Sequence, residues 1–199
     1  MPLQLPDPPA GLPDTIRSGV RKLAGRPQIS TEALRRARPH EVDVSTPHQI
    51  FTMGLDDLVA GRGLDSARPV GWRYVVEAAG QPIASAETTL AADGTTHLLS
   101  DINEGPFVGA TADAVRSLHA RRELQAGVLE LRLLRIPALY VMALWLHSAA
   151  TDLLVPLAPS PVGREGQLVP AAELITELAT RARSVKPLAR PDEPGPTAS

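Results

Sequence analysis

Among the 199 residues, the set whose types and spacing could do chemistry is Glu87, His97, Asp101 and Glu104. A carboxylate beside an imidazole can serve general acid–base catalysis once burial and neighbouring charges tune both groups. Glu87 and His97 fall on consecutive expected strands, and Asp101 and Glu104 follow at the end of the second, so a meander would bring all four to one end or face of a sheet. Glu87 and His97 would equally suit a surface cross-strand pair. In the chemical reading, the chain is an enzyme or small-ligand binder with a pocket between the sheet and a helix over 106–122. Glu87, His97 and Glu104 are then its polar groups.

Other signatures of chemistry fail on inspection. Gly61-Arg62-Gly63 opens like a glycine loop but lacks the preceding strand and the third glycine that hold a phosphate. Asp101-Ile102-Asn103-Glu104-Gly105 imitates the start of a calcium loop, yet Gly105 and Ala112 stand where the fifth and twelfth ligands belong. His40, His48, His97, His119 and His147 are scattered without zinc-site spacing, and the chain has no cysteine, which removes thiolate metal sites and thiol nucleophiles. No metal or cofactor is expected.

Two groups are candidates for an interface. Trp72, Arg73 and Tyr74 are consecutive members of the types that dominate interface hot spots, in a chain whose aromatic share is only 3%. Trp72 and Trp145 would equally serve as large core fillers. Arg17, Arg21 and Arg35 belong to a basic run from Arg17 to Arg38 that reads either as a solvated helical face or as a docking surface for an acidic partner. A net charge of -2 gives no global attraction to phosphate backbones or anionic lipid, so nucleic acid is not the expected partner.

These residues need elements to place them. Prolines at 2, 6, 8, 9 and 13, and at 187, 191, 194 and 196, mark two proline-rich tails, 1–13 and 187–199, both expected to be disordered. Between them, residues 14–186 read as one α+β domain with a basic helical N-terminal region. Helices are expected from Thr15 to Ala24, capped by Asp14, and through Ala37, capped by Ser30, with one or two helical turns near Leu55–Val59. Trp72–Glu77, Ile83–Leu90 and Thr95–Ser100 form a meander whose turns are Ala79-Gly80 and Asp93-Gly94. A two-residue loop at 79–80 would set Trp72 opposite Glu87. A helix from Pro106 to about Arg122 leads to strands at Leu129–Leu133, Leu139–Leu146 and Leu153–Leu157, a second meander. Pro170 starts the last helix, with Leu174, Ile175, Leu178, Ala179 and Ala182 as its apolar stripe. The fold expected is an antiparallel sheet of about five or six strands, in two meanders, covered by helices.

Gly71-Trp72-Arg73-Tyr74, the turn Asn103-Glu104-Gly105-Pro106-Phe107 and the run Arg132 to Leu146 resemble segments of uncharacterised actinobacterial proteins. The resemblance covers the central half of the chain and implies no activity. The longest apolar run, Ile136 to Leu146, is too short to cross a bilayer, and the first thirteen residues lack the basic and apolar regions of a secretory signal. The chain is therefore expected to be cytoplasmic. The reading that follows is a non-enzymatic protein-interaction or accessory module with a protein partner, with the enzyme or ligand binder as its alternative.

Overall fold

The computed structural model describes residues 3–121 and 128–185. An eight-stranded sheet runs in the order β4-β3-β2-β1-β5-β6-β7-β8. Its strands are β1 (Val42–Thr52), β2 (Arg68–Ala78), β3 (Gln81–Leu90), β4 (His97–Asn103), β5 (Glu130–Ile136), β6 (Val141–His147), β7 (Asp152–Pro156) and β8 (Val169–Pro170). Two meanders are present as expected. The expected count of five or six strands is corrected to eight, because β1 and the short β8 were not foreseen and β1 joins the meanders by pairing parallel with β5.

β1 lies at the centre of the sheet, although Pro47 lacks the N–H that a central strand uses for its ladder. The conflict is resolved by a bulge. Ser45 faces Val75 and His48 faces Arg73, so β1 carries one extra residue there, and Thr46 adopts a positive φ of 50°. The bulge lets a polar, proline-containing segment cross the middle of the sheet.

A second bulge decides which side chains meet on β2 and β3. Ala78 opposes Gln81 and Glu77 opposes Pro82, as a two-residue loop requires, but Val76 then opposes Ala84. The extra residue moves Glu87 from the expected position opposite Trp72 to one opposite Arg73. Because successive residues of a strand alternate between faces, this slip decides which side chains share Glu87's face.

Among the described residues, five α-helices cover the sheet: α1 (Leu12–Leu23), α2 (Glu32–Arg36), α3 (Leu55–Val59), α4 (Pro106–Ala120) and α5 (Ala171–Val185). On one face α1 packs Leu12, Ile16 and Val20 against Trp72, Tyr74, Val76 and Ala86. The same face over the second meander is closed by α3 and α5, where Leu58, Leu174 and Leu178 meet Leu134, Trp145 and Leu154. On the opposite face Ala114, Val115 and Leu118 of α4 cover Leu131, Leu133, Leu144 and Leu146. Helix α4 thus spans both meanders from below.

The segment 1–13, expected to be a loose tail, is corrected in part. Leu3 is buried with the α4 cluster, Gln4 bridges to the start of β5, and the first helix begins at Leu12. Proline content hid this docking because two apolar residues and one backbone pairing suffice for it. The 187–199 tail lies outside the described residues.

Candidate functional site

Polar or aromatic side chains gather at several places among the described residues, and the first lies beneath α4. Arg73 and Glu87 face each other across β2 and β3, and Arg135 of β5 reaches the same carboxylate. Arg135 Nη1 donates to Glu87 Oε2 at 2.8 Å, while Arg73 Nε stands 3.8 Å from Glu87 Oε1, an ionic contact without a hydrogen bond. Arg73 is 2% exposed and its Nη1 meets Met142 Sδ at 3.4 Å. His48, fully buried, faces Arg73 from β1 and joins Nδ1 to the Thr46 carbonyl at 2.8 Å. Burial first, and then the Arg73 charge, push the His48 imidazole down to about 3, so it is neutral at any physiological pH. Burial also lowers the Arg73 pKa, against the Glu87 carboxylate that raises it.

Glu87 is therefore a counter-ion inside the protein, and the structure does not assemble the four acid–base candidates. His97 contacts Thr88, the next residue of β3 and so on the other face, with its Nδ1 at 3.2 Å from Thr88 Oγ1. Thr88 Oγ1 also accepts the Trp72 N–H at 2.9 Å. Glu104 is exposed beyond the end of β4, and its Oε2 accepts the Ala33 N–H at the start of α2 at 3.3 Å. Asp101 is exposed on β4. The four residues thus divide between two faces and an edge: Asp101 pairs opposite Glu87 on the neighbouring strand, whereas His97 pairs with Leu90, three residues along β3 and so on the other face.

The interface candidates are placed just as definitely. Trp72, Arg73 and Tyr74 are all buried, which is the core-packing account of Trp72. Tyr74 has its hydroxyl among the buried atoms without a hydrogen-bond partner, and burial raises its pKa to about 12. On the surface of α1, Arg17 pairs with Asp14 and with Asp43, the latter at 2.6 Å, while Arg21 Nε donates to the Val42 carbonyl at 2.7 Å. Arg35 donates to the Ile29 carbonyl at 3.1 Å. Arg17, Arg21 and Arg35 are thus engaged with their own fold, and Arg17, Arg21 and Lys22 line a shallow hollow of about 480 Å³.

A row that sequence reading missed crosses β5, β6 and β7. Glu130 pairs with His147, and His147 with Asp152. Asp152 Oδ1 takes a contact from His147 Nδ1 at 2.7 Å and the Trp145 indole N–H at 2.7 Å. The Arg132 guanidinium lies 4.9 Å from the ring centres of both Phe51 and Trp145 and donates from Nε to Glu130 at 2.7 Å. Cation–π stacking and the ion pair fix Arg132 in place. Sequence carried one signal for this row: a histidine closing an apolar strand and an aspartate opening the next across the Ser148–Thr151 turn. Among the described residues, no group of three His, Asp or Glu side chains is placed to hold a metal.

The fourth place is an apolar groove of about 650 Å³, larger than the α1 hollow and than the one of about 490 Å³ beside Glu173 and Glu177. It lies between the β5–β6 hairpin, the loop before β8, the start of α4 and the end of α5. Leu139, Tyr140, Phe107, Pro159, Pro161 and Val185 form its apolar wall, with Glu165 and Arg181 as charged members. Of the six aromatic residues, four are buried, Phe107 is half-buried, and Tyr140 is 83% exposed. The hairpin loop explains the contrast with its neighbour. A 3-10 turn at Pro137–Leu139 tucks Leu139 into the core, and Tyr140 closes the loop at φ 55° and ψ 37°, its N–H donating to the Pro137 carbonyl at 3.1 Å. The left-handed region costs a residue with a Cβ about 1 kcal/mol or more. The fold thus holds a large aromatic ring in water on a strained backbone, at the lip of an apolar hollow.

Comparison with known proteins adds nothing to this geometry: no family model, no curated protein and no solved structure matches the chain.

Proposed function

We propose that this protein is a non-enzymatic interaction module and that the groove beside Tyr140 receives an extended, proline-containing segment of a partner protein. The observation that carries the reading is Tyr140 itself, an exposed aromatic side chain on a left-handed backbone beside an apolar hollow. Strain of this kind persists where the surrounding fold imposes it, and it concentrates at sites of function. Aromatic and proline walls suit a polyproline segment, which presents flat apolar rings and free carbonyls and has little conformational entropy left to lose. Glu165 and Arg181 supply opposite charges for orientation. The test is calorimetric titration with a synthetic twelve-residue Leu-Pro repeat peptide. Wild-type protein should bind it, and Tyr140→Ala should weaken binding by roughly 30-fold, the loss expected of a hot spot worth about 2 kcal/mol. Equal affinity in the two proteins overturns the reading.

A second reading is favoured by one observation, the His147–Asp152 contact. A carboxylate that fixes one imidazole nitrogen leaves the other to take or give a proton, so acid–base chemistry on a small ligand would centre on His147 rather than on Glu87, His97 and Glu104. Chemical-shift titration of His147 against a library of small metabolites tests it, and a ring unmoved by every compound removes it.

A further inference from the structure

We propose that the partner segment received beside Tyr140 is dipolar, with a carboxylate where it passes Arg181 and a basic residue where it leaves past Glu165 along α4. This rests on the groove reading above and adds the charge pattern of the ligand. The groove does not end at Glu165. A second hollow of about 320 Å³ adjoins it there, lined by Ala110, Asp113, Ser117, Pro156, Leu157 and the same Glu165. Both hollows run between the same two walls. Phe107 at the Tyr140 end, then Ala110, Asp113 and Ser117, follow one another three or four residues apart and so share one side of α4, opposite the loop from Pro156 to Pro161. From Phe107 to Ser117 the helix rises about 15 Å, the length of about five residues of polyproline chain.

The charges along this trough differ in sign from end to end. Glu165 Oε1 accepts the Ser160 N–H at 2.8 Å, which fixes the carboxylate where the two hollows meet, and its other oxygen has no partner among the described residues. Asp113 adds a second, exposed carboxylate beyond it, paired with Arg116 at 2.7 Å. At the Tyr140 end the charge is positive. The Arg181 guanidinium is exposed and has no hydrogen-bond or ion-pair partner among the described residues, so its paired N–H donors are open to a carboxylate. Opposite charges at the two ends of an apolar trough fix the direction in which a segment lies and reject segments of the wrong sign, which is what charge chiefly supplies to recognition.

The experiment uses the full chain and three peptides with blocked ends: the neutral Leu-Pro repeat, the same repeat opening on two aspartates and closing on two arginines, and the reverse order. One of the two charged orders should bind wild type about tenfold more tightly than the neutral repeat, since two exposed ion pairs contribute roughly 3- to 5-fold each, and raised salt should remove the gain. The readout is the ratio of charged to neutral affinity. Arg181→Gln and Glu165→Gln should each lower that ratio by roughly 3- to 5-fold, the glutamine amide oxygen at 165 keeping the Ser160 hydrogen bond and so the loop. If neither charged order outbinds the neutral repeat, or the gain survives both substitutions, the charge pattern is overturned, and a neutral repeat that still depends on Tyr140 leaves the groove reading standing. If no peptide binds wild type, both ideas fall.

Discussion

The space beneath α4 encloses charged and polar side chains while the lip of the β5–β6 hairpin exposes an aromatic one, and the difference separates what holds this protein together from what it offers to others. Under α4 an arginine, a glutamate and a histidine are enclosed, so each must find its partner inside. At the hairpin an aromatic ring that would fill a core is left outside on a strained backbone. In the first region a lost side chain leaves a buried charge uncompensated. In the second, what is lost is a contact that the isolated protein never made.

Glu87→Ala should give the largest effect on stability. It removes the carboxylate from between Arg73 and Arg135 and leaves the buried Arg73 charge alone, a loss of about 3–5 kcal/mol that denaturant unfolding would read. Gly71→Ala comes next, because a Cβ on Gly71 would sit 1.9 Å from the Thr88 carbonyl oxygen, a backbone atom fixed by the β3–β4 bulge. We expect more than about 2 kcal/mol from the enforced shift, measured in the same way. If either variant unfolds like wild type, the space beneath α4 is not the structural centre described.

His48 sharpens the comparison through pH. Its pKa falls from 6.5 to about 3 on folding, so between these values the unfolded chain binds the extra proton and stability declines as pH falls. From pH 6.5 to 5 the loss should be about 1.6 kcal/mol, a little under 1.36 kcal/mol per unit because the unfolded imidazole is only half protonated at the start of that range. His48→Gln should flatten urea midpoints over that range, where the carboxylates Asp43 and Asp93, both with lowered pKa values, do not yet titrate. The smallest effect on stability belongs to Tyr140→Ala, within about 0.5 kcal/mol of wild type in thermal unfolding, as for surface positions generally.

How far the sequence disclosed all this follows from the range of each signal. Local patterns worked: the Asp93-Gly94 turn, the stripe of α5, the alternation through Leu129, Leu131 and Leu133, and the helix opening at Pro106 all stand where period and punctuation put them. Strand β1 escaped notice because Pro47 argues against a central strand unless a bulge at Thr46 is known in advance. The extra residue between the Val76 and Glu77 pairings was equally invisible, and it set Glu87 opposite Arg73 rather than Trp72. The parallel contact of β1 with β5 joins residues some eighty positions apart, and nothing local encodes it. The groove has the same character: Phe107, Tyr140, Pro159 and Val185 come from four separate elements, and each alone is an ordinary residue in a loop or at a helix end.

The central claim is that stability resides beneath α4 and binding at Tyr140, and one paired measurement tests it most directly. Tyr140→Ala and His48→Gln would each be assayed at pH 7.5 for thermal unfolding and for affinity toward the Leu-Pro repeat peptide. The account predicts that Tyr140→Ala keeps its midpoint and binds the peptide roughly 30-fold more weakly, whereas His48→Gln melts earlier and binds with wild-type affinity while folded. Peptide affinity unchanged in Tyr140→Ala, or lost in folded His48→Gln, would contradict it.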